Sequence, residues 1–113
     1  MLTKVRGVLI DPVMIEKIIR EFKELSENFQ ILLEKMHGLD EVTVKVELRN
    51  YKDRKSSKDL IKQLKEALRE NLMIRVNVEV LSLGSLQIDG NKVSKVVDLR
   101  KGTSYGNASN TSG

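Results

Sequence analysis

Two hydrophobic periods run through the chain, and the switches between them mark its elements. Val5, Val8, Leu9 and Ile10 gather around Gly7, a short apolar run that reads as a first strand, with the glycine allowing a bulge or a close backbone approach. Asp11 and Pro12 then signal a helix start, because a short carboxylate accepts an orphan N–H and proline suits the first helical position. From there to about Leu25, Ile15, Ile18, Ile19 and Phe22 recur at i, i+3, i+4 and i+7, leaving Glu16, Lys17, Arg20, Glu21 and Lys23 for solvent. Period two follows. Phe29, Ile31 and Leu33 alternate, a polar break spans residues 36–41, and Val42, Val44, Val46 and Leu48 alternate again, which predicts a hairpin. Thr43, Lys45, Glu47 and Arg49 hold the opposite parity, so one face is buried and the other is wet or half covered.

Residues 50–57 are polar and basic, and Ser56 with Asp59 resembles a capping box opening a second helix that runs to about Asn71. Leu60, Ile61, Leu64, Ala67 and Leu68 form its apolar stripe. Ile74, Val76, Val78 and Val80 alternate with Arg75, Asn77 and Glu79 as a half-buried strand. A loop covers 83–91, and Val93, Val96, Val97 and Leu99 make one more short strand. Residues 102–113 carry no charge and consist mostly of Gly, Ser, Thr and Asn, so a disordered tail is expected after a single domain at 1–101. The order predicts an α+β class, a ferredoxin-like βαββαβ two-layer sandwich: an antiparallel sheet, two helices on one face, and a short C-terminal strand.

Composition narrows the chemistry. A chain of 113 residues builds one core. With no cysteine and one histidine, disulfides, thiolate zinc sites, cysteine nucleophiles and histidine-based triads or metal clusters fall away, so no metal site is expected. No apolar run approaches the roughly 20 residues of a membrane span, and the first ten residues lack a secretory core, which makes cytoplasmic the default and a membrane partner unexpected. The formal charge of +4 permits anionic partners without demanding one.

No glycine-rich phosphate cradle occurs. Three places remain where charge meets a loop or a glycine. Lys92 follows Gly90 and Asn91 in a polar loop, where it serves either as a solvated lysine or as a point charge for a carboxylate or phosphate. Arg6 and Gly7 mark either a structural bulge or a close ligand approach. Arg49, Lys52, Arg54, Lys55 and Lys58 form a basic cluster, offset only by Asp53 and Asp59, that is either a solvated loop or a phosphate site. Nucleic acid is a poor match for that cluster: there is no tryptophan, both phenylalanines belong to the core pattern, and only Tyr51 stands nearby. His37, Asp40 and Glu41 read as turn and strand-edge residues, and Met14, Met36 and Met73 as packing.

The run Lys4-Val5-Arg6-Gly7-Val8-Leu9-Ile10, followed by Ile15-Glu16, resembles the K-x-R-G-x-x-I-x-x-x-x-I-E segment that opens the C-terminal domain of adenylate-forming enzymes. Further pieces are similar to the phenylacetate-CoA ligase branch: Arg6-Gly7-Val8 with Pro12, Phe29-Gln30-Ile31, Gly38-Leu39-Asp40-Glu41, and Val44 with Glu47 and Leu48. Leu83-Gly84-Ser85-Leu86 resembles its P-G-T-L, and Lys92 with Val96-Val97-Asp98 its G-K-x-K-R-V-V-D. The resemblance covers nearly all of residues 1–101.

In that family a large N-terminal domain binds ATP, with its magnesium, and a small carboxylic acid. It forms the acyl-adenylate, and the small C-terminal domain rotates so that coenzyme A attacks. The resemblance implies that this chain is the small domain, that its partner is the N-terminal adenylation domain, and that ATP and coenzyme A are substrates. Neither is held by this chain alone, which is expected to be inactive by itself. Lys92 takes the place of the adenylation lysine, with Lys95 as fallback, because Asn91 stands where the family has glycine and Ser94 where a second basic residue is common. Arg6, Gly7 and Val8 correspond to the wall of the coenzyme A tunnel, and Lys52, Arg54 and Lys55 to groups that meet coenzyme A phosphates. Two other classes stand beside this one: a free-standing ferredoxin-like domain binding a small regulatory ligand, and nucleic-acid binding through the basic loop.

Overall fold

The computed structural model describes residues 2–50, 57–86 and 95–100. The expected tail at 102–113 lies outside that set. Strands β1 (Thr3–Val5) and β2 (Val8–Ile10) lead into helix α1 (Pro12–Arg20). The long strands β3 (Leu25–Met36) and β4 (Leu39–Leu48) follow, then helix α2 (Ser57–Leu72), β5 (Asn77–Leu81) and β6 (Val96–Asp98).

The first apolar run is not one bulged strand but a hairpin. Val5 pairs with Val8, leaving Arg6 and Gly7 as a two-residue turn with φ of 51° and 80°. Both central residues are left-handed, the geometry whose twist matches the flanking strands. Three-residue strands are too short to display a period, which is why the sequence reads as a single element. The β3–β4 connection repeats the device with His37 and Gly38 at φ 53° and 81°.

Asp11 caps α1 as expected, its carboxylate accepting the Val13 N–H at 2.9 Å, with proline at the first position. The helix stops at Arg20 rather than near Leu25. Glu21 and Phe22 donate to the carbonyls of Ile18 and Ile19 at 3.1 and 3.0 Å, a tightened last turn. Leu25 is already paired with Leu48 on β4, so tertiary pairing overrides the helix-forming residues between. Phe22 still packs against the core from outside the helix.

The main sheet has the order β5-β4-β3-β6. Its central pair is antiparallel, as expected, but both outer pairings are parallel, so the sheet is mixed. α2 is the crossover that returns β5 alongside β4 in the same direction, since parallel neighbours cannot be joined by a tight turn. The hairpin β1–β2 forms its own two-stranded sheet. The two-layer α+β sandwich is therefore present, and the ferredoxin-like plan matches it in outline.

One core joins Ile15, Ile18 and Ile19 of α1 and Leu60, Leu64, Leu68 and Leu72 of α2 to the inward parity of β3 and β4, with Val5 and Ile10 from the hairpin. β5 begins at Asn77, although the buried Val76 just before it already belongs to the core. Among the described residues no helix is long and apolar enough to cross a membrane.

α2 is followed by Met73, a non-glycine residue at φ 64° that is 78% exposed and whose N–H donates to the Arg69 carbonyl at 2.9 Å. The left-handed conformation strains a residue with a Cβ, while the methionine has little packing to lose. Met73→Gly is expected to raise stability by about 0.5–1 kcal/mol, read as an increased urea midpoint at unchanged m-value.

Candidate functional site

The Arg6–Gly7 turn is exposed, and nothing lies within 4 Å of where a Cβ on Gly7 would sit. Val8 is half-buried. The arginine does not reach outward. Its backbone N–H donates to Asp40 Oδ2 at 3.2 Å, its Nε to the Asp40 carbonyl at 2.8 Å, and its Nη2 to Glu41 Oε2 at 2.9 Å. Glu41 also accepts from the Asn77 amide at 3.2 Å. The side chains of the Arg6–Glu41 pair are 40% and 33% exposed, so its worth lies in orientation more than in energy. The hydrogen bond from the Arg6 N–H, helped by the charges of Arg100 and Lys35, holds the Asp40 carboxyl below its ordinary value against the opposing cost of desolvation. A shallow cleft of about 580 Å³ opens beside the turn, lined among others by Lys4, Arg6, Gly7, Lys35, Asp40 and Arg100.

A second anchor lies at the other end of β4. Glu47 has the outward parity, yet it is fully buried, and it is the buried charged residue among the described ones. Opposite it, β3 is irregular: Leu25 pairs with Leu48 but Phe29 with Val46, so residues 26–28 bulge. The bulge aims Ser26 Oγ and Asn28 Nδ2 at Glu47 Oε1, each at 3.1 Å, while Oε2 accepts the Leu86 backbone N–H at 3.0 Å. Burial pushes the Glu47 carboxyl up, but the hydrogen bonds from Leu86, Asn28, Gly84 and Ser26 outweigh it and leave the group below its ordinary value. A charged acceptor thereby fastens the 82–86 turn, in which Gly84 takes φ 88° and Ser85 donates to the Ser82 carbonyl at 3.1 Å.

Of the residues singled out from sequence, the structure brings Arg6, Gly7 and Val8 together at the hairpin tip. Lys92, Lys52, Arg54 and Lys55 lie outside the described residues. Lys95, the fallback, places its ammonium 4.5 Å from the centroid of the Phe29 ring, a cation–π contact, and its carbonyl accepts the Ile31 N–H at 2.7 Å. Asp40 is more than the turn residue expected, since two arginines converge on it. Glu47 belongs by parity to the face expected to be wet or half covered, and no local pattern shows that a turn almost forty residues later covers it. Among the described residues no group of three or more His, Asp or Glu side chains is placed to hold a metal ion.

The AMP-binding enzyme C-terminal domain family matches residues 7–100. The chain belongs to this family and is a C-terminal domain of the adenylate-forming type. It is 32% identical over 99 residues to the phenylacetate-coenzyme A ligase of Pseudomonas putida and 28% identical to that of Escherichia coli K12. Those alignments take in 85% of this chain but 23% of either ligase, so the chain spans about a quarter of the length of the curated relatives it matches. Among solved structures, a domain of phenylacetate-coenzyme A ligase from Bacteroides vulgatus superposes with a TM-score of 0.79 at 32% identity, covering 88% of this chain and 93% of that one. A 2-hydroxyisobutyryl-CoA ligase, solved with 2-HIB-AMP and CoA in the thioesterification state, shares the fold at TM-score 0.77 and 18% identity, over 88% of this chain and 21% of its own.

Because the folded Glu47 carboxyl titrates below its unfolded value, its stabilisation is present above the ordinary glutamate range and fades as pH falls through the lowered value. Urea titrations should therefore show wild type losing stability below that range more steeply than Glu47→Gln. At neutral pH the amide, which must turn an N–H toward a donor, is expected to cost about 2–3 kcal/mol.

Proposed function

We propose that this chain is the mobile C-terminal domain of a phenylacetate-CoA ligase-like enzyme, an acid–thiol ligase that converts acid, ATP and coenzyme A into acyl-CoA, AMP and pyrophosphate. The observation that carries the reading is the family match across residues 7–100, with relatives named as coenzyme A ligases of which the chain spans about a quarter. The partner in this reading is an N-terminal adenylation domain, and the magnesium that accompanies ATP belongs to that domain. A cytoplasmic location goes with these substrates.

In the first half-reaction the substrate carboxylate attacks the α-phosphorus of ATP, forming the acyl-adenylate and releasing pyrophosphate. Lys92 supplies a fixed positive charge between the carboxylate and the phosphate oxygens as negative charge moves toward the leaving group. In the second, the thiol of coenzyme A loses its proton and attacks the acyl carbonyl, and AMP departs. The Arg6–Gly7–Val8 turn forms part of the wall along which the pantetheine arm passes. A left-handed glycine with open space on its Cβ side supports that role, because any side chain there would project into the passage. Lys52, Arg54 and Lys55 meet the phosphates of coenzyme A, consistent with a basic stretch between a strand and a helix.

The test separates the half-reactions in the reunited two-domain enzyme. Lys92→Ala is expected to lower adenylation, followed by pyrophosphate exchange, by about 10²–10³-fold. Thioester formation from preformed acyl-adenylate should stay near wild type. Survival of both half-reactions in Lys92→Ala passes the role to Lys95, and absence of both in wild type removes the ligase reading.

A further inference from the structure

A hairpin of two three-residue strands does not hold a rigid tip by itself. Ile10 at its base and Val5 beside the turn reach the core, but Arg6 and Gly7 stand outside it. Arg6 binds Asp40 and Glu41 directly, and the residue that holds Asp40 and the β1 backbone beneath it arrives from the far end of the chain. Arg100 Nη1 donates to the Lys4 carbonyl at 2.7 Å, across 96 positions of sequence, and to Asp40 Oδ2 at 3.1 Å. That same carboxylate oxygen accepts the Arg6 N–H. The Arg100 guanidinium is itself held by a two-pronged pair with Asp98, Nε to Oδ1 and Nη2 to Oδ2, both at 2.9 Å. Its side chain is 15% exposed and that of Asp40 20%, so the pair sits at the margin of solvent, where competition from water is reduced.

We infer that Arg100 is a positioning residue for the coenzyme A half-reaction: clamped by Asp98 at the end of β6, it ties the β1 carbonyl and the Asp40 carboxylate together and so sets where the Arg6–Gly7 turn stands relative to the sheet. The functional half of this inference rests on the tunnel role given to that turn above. The planar fork is what the job requires. One prong pair grips Asp98 while the remaining nitrogen reaches two acceptors on different segments. A lysine ammonium offers no such rigid spacing. Displacing the turn by about 1 Å is enough to lose an aligned attack by two orders of magnitude, whereas chemistry that does not touch the turn is spared.

Two measurements test it. In the chain alone, amide hydrogen exchange at Arg6 and Gly7 should accelerate about tenfold or more in Arg100→Ala and in Arg100→Lys, with core amides of β3 and β4 unchanged; unaltered exchange at the tip overturns the clamp whatever the enzyme does. In the two-domain enzyme, both variants should lower thioester formation from preformed acyl-adenylate by about tenfold or more, with a raised KM for coenzyme A and adenylation within about twofold of wild type. Equal losses in both half-reactions, tracking thermal stability, overturn the positioning role. Gly7→Leu guards the tunnel reading separately: if the tip loosens in Arg100→Ala but neither Gly7→Leu nor Arg100→Ala slows thioester formation, the clamp stands as structure and the functional inference falls with the tunnel reading.

Discussion

The register between β3 and β4 is the constraint on which the rest of the domain depends. With Met36 opposite Leu39 across the His37–Gly38 turn, Val42, Val44 and Val46 lie against Leu33, Ile31 and Phe29, and all six face the helices. A slip of one residue would turn this set away from the helices and put Thr43, Lys45 and Glu47 on the helix-packed face. The turn enforces the choice with two left-handed residues, one of them glycine. Each remaining sheet strand then joins a ladder already laid down, β5 beside β4 and β6 beside β3.

β4 carries an anchoring carboxylate near each end. Asp40 gathers the hairpin tip and the last strand, while Glu47 gathers the β3 bulge and the 82–86 turn. Seven residues of extended chain separate them by about 23 Å. In both places a carboxylate receives backbone N–H groups from a distant segment, an interaction strong enough to hold a loop that has few apolar contacts of its own. The cost of burying Glu47 makes it an unusual choice for stability alone, because apolar replacements of buried charges are often tolerated. Its role as a receptor for the backbone of a turn accounts for a charge at that depth.

The apolar stripe of α1, the Asp11–Pro12 start and the alternation in β3, β4 and β5 are legible because each is a local pattern with a fixed period. The family resemblance is legible for the same reason, as short runs in a fixed order. What escaped reading is non-local. Leu25 joins the sheet because Leu48 is there to pair with it, against the helical tendency of residues 21–24. Glu47 has the parity of a solvated residue and is buried by the β3 bulge and the turn that ends at Leu86. Arg100 looks like one of many surface cations until its reach to Lys4 and Asp40 is seen. The split of the first strand is the exception: Arg6–Gly7 is a local turn, but arginine is an uncommon partner for glycine in a doubly left-handed turn, so the signal is weak.

The two anchors also bind segments that contain or adjoin, in sequence, those proposed to be functional. Residues 87–94, with Lys92, lie in the sequence between Leu86, whose N–H is bound by Glu47, and Lys95, whose carbonyl accepts the Ile31 N–H. β6 then runs parallel to β3 from Ile31 toward Leu33 and delivers Asp98 and Arg100 to the Asp40 end. A single short strand thus connects the proposed adenylation lysine to the clamp on the proposed coenzyme A turn. Asp40 and Glu47 lie near opposite ends of one antiparallel pair, so the hairpin tip and the 82–86 turn are both carried by the β3–β4 core. For the mobile domain proposed above, a two-layer core beneath two carboxylate-held segments is a construction that moves both as one body.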